Sequence, residues 1–366
     1  MAKNELLDKL MKAGKLQMSS ILKDSVFATS QESVVTDLPI LNIAFSGKLD
    51  GGLCSGVTVF AGQSKSFKTL LGLYCMKAYL DKYEDAVALF YDSEFGSPAS
   101  YFQRIGIDTS RVLELPICNV EELKFDIVSR LEQIERGNKV FILIDSLGNL
   151  ASKREYENAI NENGAKDMSR AGDIKSVLRI ITPHIAIKDI PCVIINHTYQ
   201  SMGLFPTQVV SGGSGVIYAA NTIFIINRSQ LSGDDKGEGY KFTINIEKSR
   251  FVKEKSKLPF EVMYHAGVNK YSGLFDLAVE GNFIATPSKG WYSKINPDTG
   301  EVSEQKLRKS DIDTPEFYEE LLKNEKFKQY IQDRFSLVSD SVVQDDVAEE
   351  TPKKSKKKLL NETSEE

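Results

Sequence analysis

Continuous apolar runs closed by polar or acidic residues recur along the chain. They are Val57-Thr58-Val59-Phe60-Ala61, Ala86-Val87-Ala88-Leu89-Phe90-Tyr91, Lys139-Val140-Phe141-Ile142-Leu143-Ile144 and Pro191-Cys192-Val193-Ile194-Ile195. Runs without period-two alternation are those of parallel strands buried on both faces. Helical patterns separate them: one from Leu70, one over Ala99–Ile105, one over Val120–Arg136 closed by Gly137, and one from Lys166. Arg111–Pro116 reads as a further short strand. Beyond the fourth run come strands at Thr222–Asn227, Lys241–Glu247 and Phe260–Tyr264, with Ser232–Gly239 as a hairpin tip by composition. The pattern predicts an α/β fold with a mostly parallel central sheet flanked by helices.

The flanks read differently. Leu6, Leu7, Leu10 and Met11 form one apolar stripe, partly extended by Leu16, Met18, Ile21 and Leu22, which predicts an amphipathic helix from Asn4 to about Leu22. Ser25-Val26-Phe27-Ala28-Thr29 reads as a short extended piece. The helix and strand either fold onto their own domain or form an arm that docks on a neighbouring subunit, with Phe27 as anchor. From Tyr271 a small α+β unit begins, including Trp291 and Tyr292. From about Ser336 the chain is charged and poor in aromatics, with the run Lys353-Lys354-Ser355-Lys356-Lys357-Lys358, and is expected to be disordered. The expected divisions are an arm over 1–33, a core over 34–270, a small C-terminal domain over 271–335 and a tail over 336–366.

Hydrophobic residues make up 41% and charged residues 27% of the 366 residues, the composition of a soluble globular protein. A net charge of −5 means that any nucleic-acid contact comes from a local basic surface. Cys54, Cys75, Cys118 and Cys192 form no C-x-x-C pair, and His184, His197 and His265 do not cluster, so reduced thiols of an intracellular protein are expected and no zinc. The N-terminus has no signal-peptide pattern, and no apolar run approaches the ~20 residues of a membrane span.

The candidate chemistry starts at Gly62-Gln63-Ser64-Lys65-Ser66-Phe67-Lys68-Thr69, which joins the first apolar run to a helix opening at Leu70. Strand, loop and helix in that order make a phosphate-binding loop. Backbone N–H groups and the helix N-terminus would cradle phosphates, Lys68 would reach the β/γ-phosphates, and Thr69 would hold Mg²⁺. Phe67 stands where the general pattern has its second Gly; without further support the segment could be an ordinary polar turn. Asp145, closing the third run, has the position of a Walker-B acid that helps to hold Mg²⁺. The second run ends in Asp92-Ser93-Glu94. Residues Ala151–Ala165 and Thr198–Gly215 are polar or glycine-rich and read as a loop or partly helical stretch and a flexible stretch.

Together these segments resemble the RecA family of recombinases over roughly Leu38–Tyr292, and within it the UvsX branch of tailed phages, where Phe precedes the P-loop Lys. The resemblance implies a RecA-like P-loop ATPase core using ATP and Mg²⁺. It assigns Glu94 as the catalytic glutamate that orients the attacking water, and Tyr101 as the residue stacking on adenine. It matches Lys153–Ala165 and Thr198–Gly213 to the DNA-binding loops, with Lys153, Arg154, Thr198, Tyr199, Gly212, Gly213 and Ser214 at the DNA; Arg170 and Lys175, just after the first loop, either add phosphate neutralisation or form a solvated helix face. It places His197 as the sensor of the γ-phosphate, and Lys248 and Arg250 as a basic pair reaching the ATP of the adjacent subunit.

The implied function is an ATP-dependent recombinase that forms a homo-oligomeric filament on single-stranded DNA, pairs it with homologous double-stranded DNA and exchanges strands. Implied partners include a single-strand-binding protein and a loading mediator, in the cytoplasm of a bacterial host, with no membrane. A RecA-fold ring helicase, or a mediator that binds nucleotide and DNA without catalysis, are the alternatives.

Overall fold

In the computed structural model the apolar runs are strands of one sheet covered on both faces. The structure describes residues 5–16, 18–27, 32–161, 169–202, 206–231, 237–296 and 299–337. In chain order the first elements are α1 (Glu5–Ala13), α2 (Pro39–Ser46), β1 (Gly56–Gly62), α3 (Lys68–Lys82), β2 (Val87–Asp92), α4 (Ala99–Ile105), β3 (Val112–Pro116) and α5 (Val120–Gln133). There follow β4 (Val140–Asp145), α6 (Lys153–Ile160), α7 (Arg170–Lys188), β5 (Pro191–Gln200), β6 (Gln208–Val210), α8 (Ser214–Ala219), β7 (Thr222–Gln230), β8 (Gly239–Lys248), β9 (Lys257–Met263) and β10 (Gly267–Val268). The C-terminal unit holds α9 (Leu274–Glu280), β11 (Ile284–Ser288), β12 (Trp291–Lys294), α10 (Lys309–Ile312), α11 (Pro315–Lys323) and α12 (Glu325–Phe335).

The sheet order is β10-β9-β8-β7-β1-β5-β4-β2-β3. From β7 to β3 every neighbouring pair is parallel, and β8 to β10 add an antiparallel edge. β1 is central: its Gly62 pairs with His197 of β5 on one side and Ile226 of β7 on the other. Successive side chains of a strand face opposite layers. Phe60, Leu143 and Ile195 therefore join α3 in one core, while Val59, Ile144 and Ile194 join α5 and α7 in a second. With both faces buried the strands carry no polar face, which is why they read as unbroken apolar runs.

Several local expectations are corrected. α1 ends at Ala13, well short of Leu22, because Gly14 and the polar Lys15, Gln17 and Ser19 interrupt the stripe. Val26 and Phe27 lie in a turn and not in a strand; residues 28–29 are outside the described ones. Arg136 stacks on the Phe27 ring at 5.1 Å and donates to the Val26 carbonyl at 3.4 Å, tying this turn to the segment that follows α5. The polar stretch after β4, expected as a loop or partly helical, takes the second form: it is helical over Lys153–Ile160, capped by Ser152, whose hydroxyl accepts from the Glu155 amide at 2.9 Å. The stretch after β5 contains a hairpin: Thr198, Tyr199 and Gln200 pair with Val210, Val209 and Gln208. The hairpin tip at residues 232–236, the expected helix start at 166–168 and the tail beyond Leu337 fall outside the described residues.

The small C-terminal unit is α+β, with β11 and β12 antiparallel. Phe275, Ile312, Tyr318, Phe327 and Ile331 belong to the same apolar cluster as Phe60 and Phe224 of the central sheet. The chain end returns to the core, where Val252 bridges to Ser336 and the Lys253 amide donates to the Phe335 carbonyl at 2.8 Å.

Candidate nucleotide and DNA site

The C-terminal ends of β1, β2, β4 and β5 meet at one edge of the sheet, where open α/β sheets bind ligands. β1 runs into the loop Gly62–Thr69, and α3 begins at Lys68. Lys65 and Phe67 take left-handed backbone conformations, with φ of 61° and 56°. The Phe67 ring turns onto β8 and meets Phe242 edge-on at 5.1 Å. A bulky residue is accommodated because its ring packs against the sheet and its backbone supplies the turn that Gly usually makes.

The loop borders a cavity of about 410 Å³ lined by Ser64 to Thr69, Glu94, Ile195, His197, Arg228 and Tyr240. The buried Lys68 Nζ donates to the Gln63 carbonyl at 2.8 Å and contacts Ser66 Oγ at 3.3 Å. Burial lowers its pKa, and the nearby Glu94 and Asp145 oppose that shift. A second cavity of about 680 Å³ shares Phe67 with the first and is lined by Leu70, Tyr74, Tyr101, Arg104 and Tyr264 among others. Tyr101 is half-buried, and burial raises its hydroxyl to about 12.

Thr69 and Asp145 converge although 76 residues separate them: the threonine hydroxyl donates to Asp145 Oδ2 at 2.7 Å. The other carboxylate oxygen of Asp145 is buried and has no hydrogen-bond partner among the described residues. Burial raises Asp145 to about 6, against the hydrogen bond from Thr69. A buried carboxylate oxygen awaiting a partner, beside a hydroxyl whose lone pairs stay available, is the hard oxygen donor set that Mg²⁺ takes, with water or phosphate completing it.

Glu94 sits one turn beyond β2. The Asp92 side chain accepts from the Glu94 and Phe95 amides at 2.9 and 2.8 Å, which shapes that turn. Glu94 Oε1 accepts from the Ser146 hydroxyl at 2.7 Å and lies 3.0 Å from His197 Nε2. The His197 contact, then the Ser146 hydrogen bond, hold the Glu94 carboxyl at about 2 against the raising effect of burial. Next to His197, Asn196 is fully buried and donates to the Ser211 carbonyl at 2.9 Å, while the Ser211 amide donates to the His197 carbonyl at 2.9 Å. The strand end that touches Glu94 is thus tied to the base of the β5–β6 hairpin.

The expected DNA-facing residues divide into two groups. Lys153 and Arg154 are exposed on α6; Tyr199 and Ser214 are exposed beside the hairpin, as is Gly213. Gly212 and Gly213 have φ of 88° and 73°, a region that favours glycine. Thr198 keeps a buried hydroxyl without a hydrogen-bond partner among the described residues. Lys175 is exposed on α7. Arg170 is engaged elsewhere: its guanidinium donates to the carbonyls of Leu150 at 2.6 Å and Gly148 at 2.5 Å, holding the β4–α6 connection to α7. Lys248 and Arg250 lie outside the chain's own phosphate cavity. The Lys248 ammonium donates to the Ile217 and Ala220 carbonyls at the end of α8, at 2.7 and 2.6 Å, and Arg250 is exposed. Arg228, Tyr240 and Tyr264 are cavity residues that the sequence pattern did not single out.

The RecA N-terminal domain family model matches residues 7–269, and a model described as the bacteriophage T4 recombination and repair protein C-terminal domain matches residues 271–331. The "Recombination and repair protein" of Enterobacteria phage T4 is 43% identical over 338 residues, covering 91% of this chain and 86% of that protein. "Protein RecA" of Cytophaga hutchinsonii is 28% identical over 312 residues, covering 82% of this chain and 84% of that protein. "Protein RecA" of Leptospira meyeri is 26% identical over 282 residues, covering 74% and 70%.

Proposed function

The chain belongs to the RecA family of recombinases, with a role in recombination and repair, and on that premise we propose that it is a DNA-stimulated ATPase that forms filaments on single-stranded DNA and exchanges strands with a homologous duplex. ATP binds with its phosphates in the Gly62–Thr69 cradle and its base in the adjoining cavity, against Tyr101 and beside Tyr264. Thr69 and Asp145 hold Mg²⁺, which when bound neutralises charge on the phosphate oxygens.

The observation that carries the reading is the Glu94–His197 contact on a strand end hydrogen-bonded to the hairpin base. Phosphoryl transfer to water needs a carboxylate that orients the attacking water. At about 2, Glu94 is ionised but a poor base, and His197 occupies its Oε1. When His197 turns to donate to a terminal phosphate, Glu94 is released to hold water and regains basicity. Through Asn196 and Ser211 the same movement reaches the hairpin, so the state of the DNA loop and the state of the nucleotide change together. Lys68, released from the Gln63 carbonyl, meets the β/γ-phosphates. Lys248 and Arg250 act across a subunit contact, in the manner of arginine fingers, and this makes hydrolysis depend on the filament.

DNA affinity in this scheme comes from many repeated contacts of α6 and the hairpin, since neither is strongly basic. A joint-molecule assay tests it: with ATP, the protein should pair a single strand with a homologous supercoiled duplex, and Lys68→Ala should lose the activity. Directional unwinding without any need for homology would instead identify a ring helicase.

A further inference from the structure

Two residues of the phosphate cavity have no role in the scheme above. Arg228 extends from β7 and Tyr240 from β8. β7 pairs with β1 so that Ile226 lies opposite Gly62, and Arg228 follows two residues later on the same face, level with the P-loop. Its guanidinium carbon sits 4.7 Å from the centre of the Tyr240 ring. Its Nη1 lies 3.5 Å from the carbonyl of Lys65, inside the loop. Among the described residues Arg228 forms no ion pair with a carboxylate. It is solvent-exposed at the cavity mouth, where a ligand can reach it.

The tyrosine platform is itself braced. Tyr240 contacts Phe242 at 6.2 Å, and Phe242 receives the Phe67 ring from the P-loop at 5.1 Å. Tyr240 also meets Tyr264 edge-on at 5.7 Å, and Tyr264 lines the neighbouring cavity. Arg228 shares its cavity with Glu94 and His197, and not with Tyr101. It is therefore at the reacting end of a bound nucleotide, away from the base. A guanidinium stacked on an aromatic face is pre-oriented, keeps its charge, and presents paired donors to phosphate oxygens.

We propose that Arg228, held on Tyr240, is a same-chain contact for the terminal phosphate that distinguishes a nucleoside triphosphate from the diphosphate. The inference rests on the reading of this cavity as the ATP site. It gives the chain its own cation at the γ-position, in addition to Lys68 and to any residue from a neighbour.

Dissociation constants for a slowly hydrolysed ATP analogue and for ADP, without DNA, test this in the full-length protein and in Arg228→Ala, Arg228→Lys, Tyr240→Phe and Tyr240→Ala. Loss of one charge-assisted contact of ~1.4 kcal/mol corresponds to a tenfold change. Arg228→Ala should weaken the triphosphate analogue about tenfold and ADP less than about twofold. Arg228→Lys should recover part of the loss, Tyr240→Phe should behave as the parent, and Tyr240→Ala should fall between. Thermal melts of the variants check the fold. An unchanged ratio of triphosphate to ADP affinity in Arg228→Ala, with or without a loss of DNA binding, overturns the proposal. If the parent protein binds neither nucleotide, the ATP-site reading itself fails; if it binds both, only the Arg228 inference is at stake.

Discussion

At the scale of the residue, Phe67 shows how a departure from a sequence pattern is accommodated. A left-handed backbone costs a side-chain-bearing residue about 1–2 kcal/mol relative to glycine. The edge-on contact with Phe242 returns about 0.5–1.5 kcal/mol. Phe67→Gly relieves the backbone and loses the ring with its burial, whereas Phe67→Ala keeps the strained backbone and also loses the ring. Chemical denaturation should therefore rank alanine below glycine; the reverse order would mean that the loop backbone is not what limits this position. Glu94 gives a second residue-level prediction. Its carboxyl is held at about 2, against an ordinary 4.5, first by His197. A depressed carboxyl pKa contributes stability that is complete above the unfolded value and is lost as pH falls toward the folded one. In His197→Ala the Glu94 carbon-13 resonance should titrate between about pH 3 and about pH 6, while in the parent protein it should stay at its ionised position over that range. A carboxyl that titrates identically in both would remove His197 as the cause.

At the scale of the element, the sequence was most legible where one strand or loop contains its own signal. Asp145 and the loop Gly62–Thr69 each close an apolar run, so their shared place at the strand ends could be read locally, and Thr69 and Asp145 do meet. Arg228 and Tyr240 offered no such signal. They approach Lys65 only because β7 inserts beside β1, and Arg228 and Lys65 are 163 positions apart in sequence. Gly and Pro between Thr198 and Gly215 suggested flexibility, yet the β5 strand continues and folds back on β6, because backbone pairing does not need apolar side chains. Arg170 reads as one more cation near a DNA loop; its guanidinium serves two backbone carbonyls instead. The arm is a case of the opposite kind. No residue of α1 is buried, and Leu6 and Leu10 are 64% and 61% exposed. An apolar stripe in that state fits a segment that docks on a second copy of the chain. Removing residues 1–27 should leave nucleotide affinity within about twofold but reduce assembly on single-stranded DNA, in sedimentation, to a species near the mass of one chain. Large assemblies of the shortened protein would show that another surface makes the contact.

At the scale of the whole molecule, the central strand β1 joins the two halves of the account. On one side β5 carries His197 and the hairpin; on the other β7 carries Arg228. The C-terminal unit is part of the same body, since its aromatic residues pack into the cluster beneath β1 and β7. The change of pattern near residue 271 is visible in the sequence; the packing of the unit against α2 is not, because Ile40 and Gly273 are far apart in the chain and come within reach only where a left-handed glycine, φ 81°, admits the isoleucine. A molecule built this way can pass a change at the Gly62–Thr69 loop to the β5–β6 hairpin through one strand end, which is the coupling proposed above. The most direct measurement of that claim is the steady-state ATPase rate with and without single-stranded DNA, for the parent protein and for His197→Ala side by side. Coupling through His197 predicts that DNA raises kcat of the parent severalfold and leaves the variant near its DNA-free rate while nucleotide binding persists. Equal stimulation of both proteins, or no turnover by the parent in either condition, would contradict it.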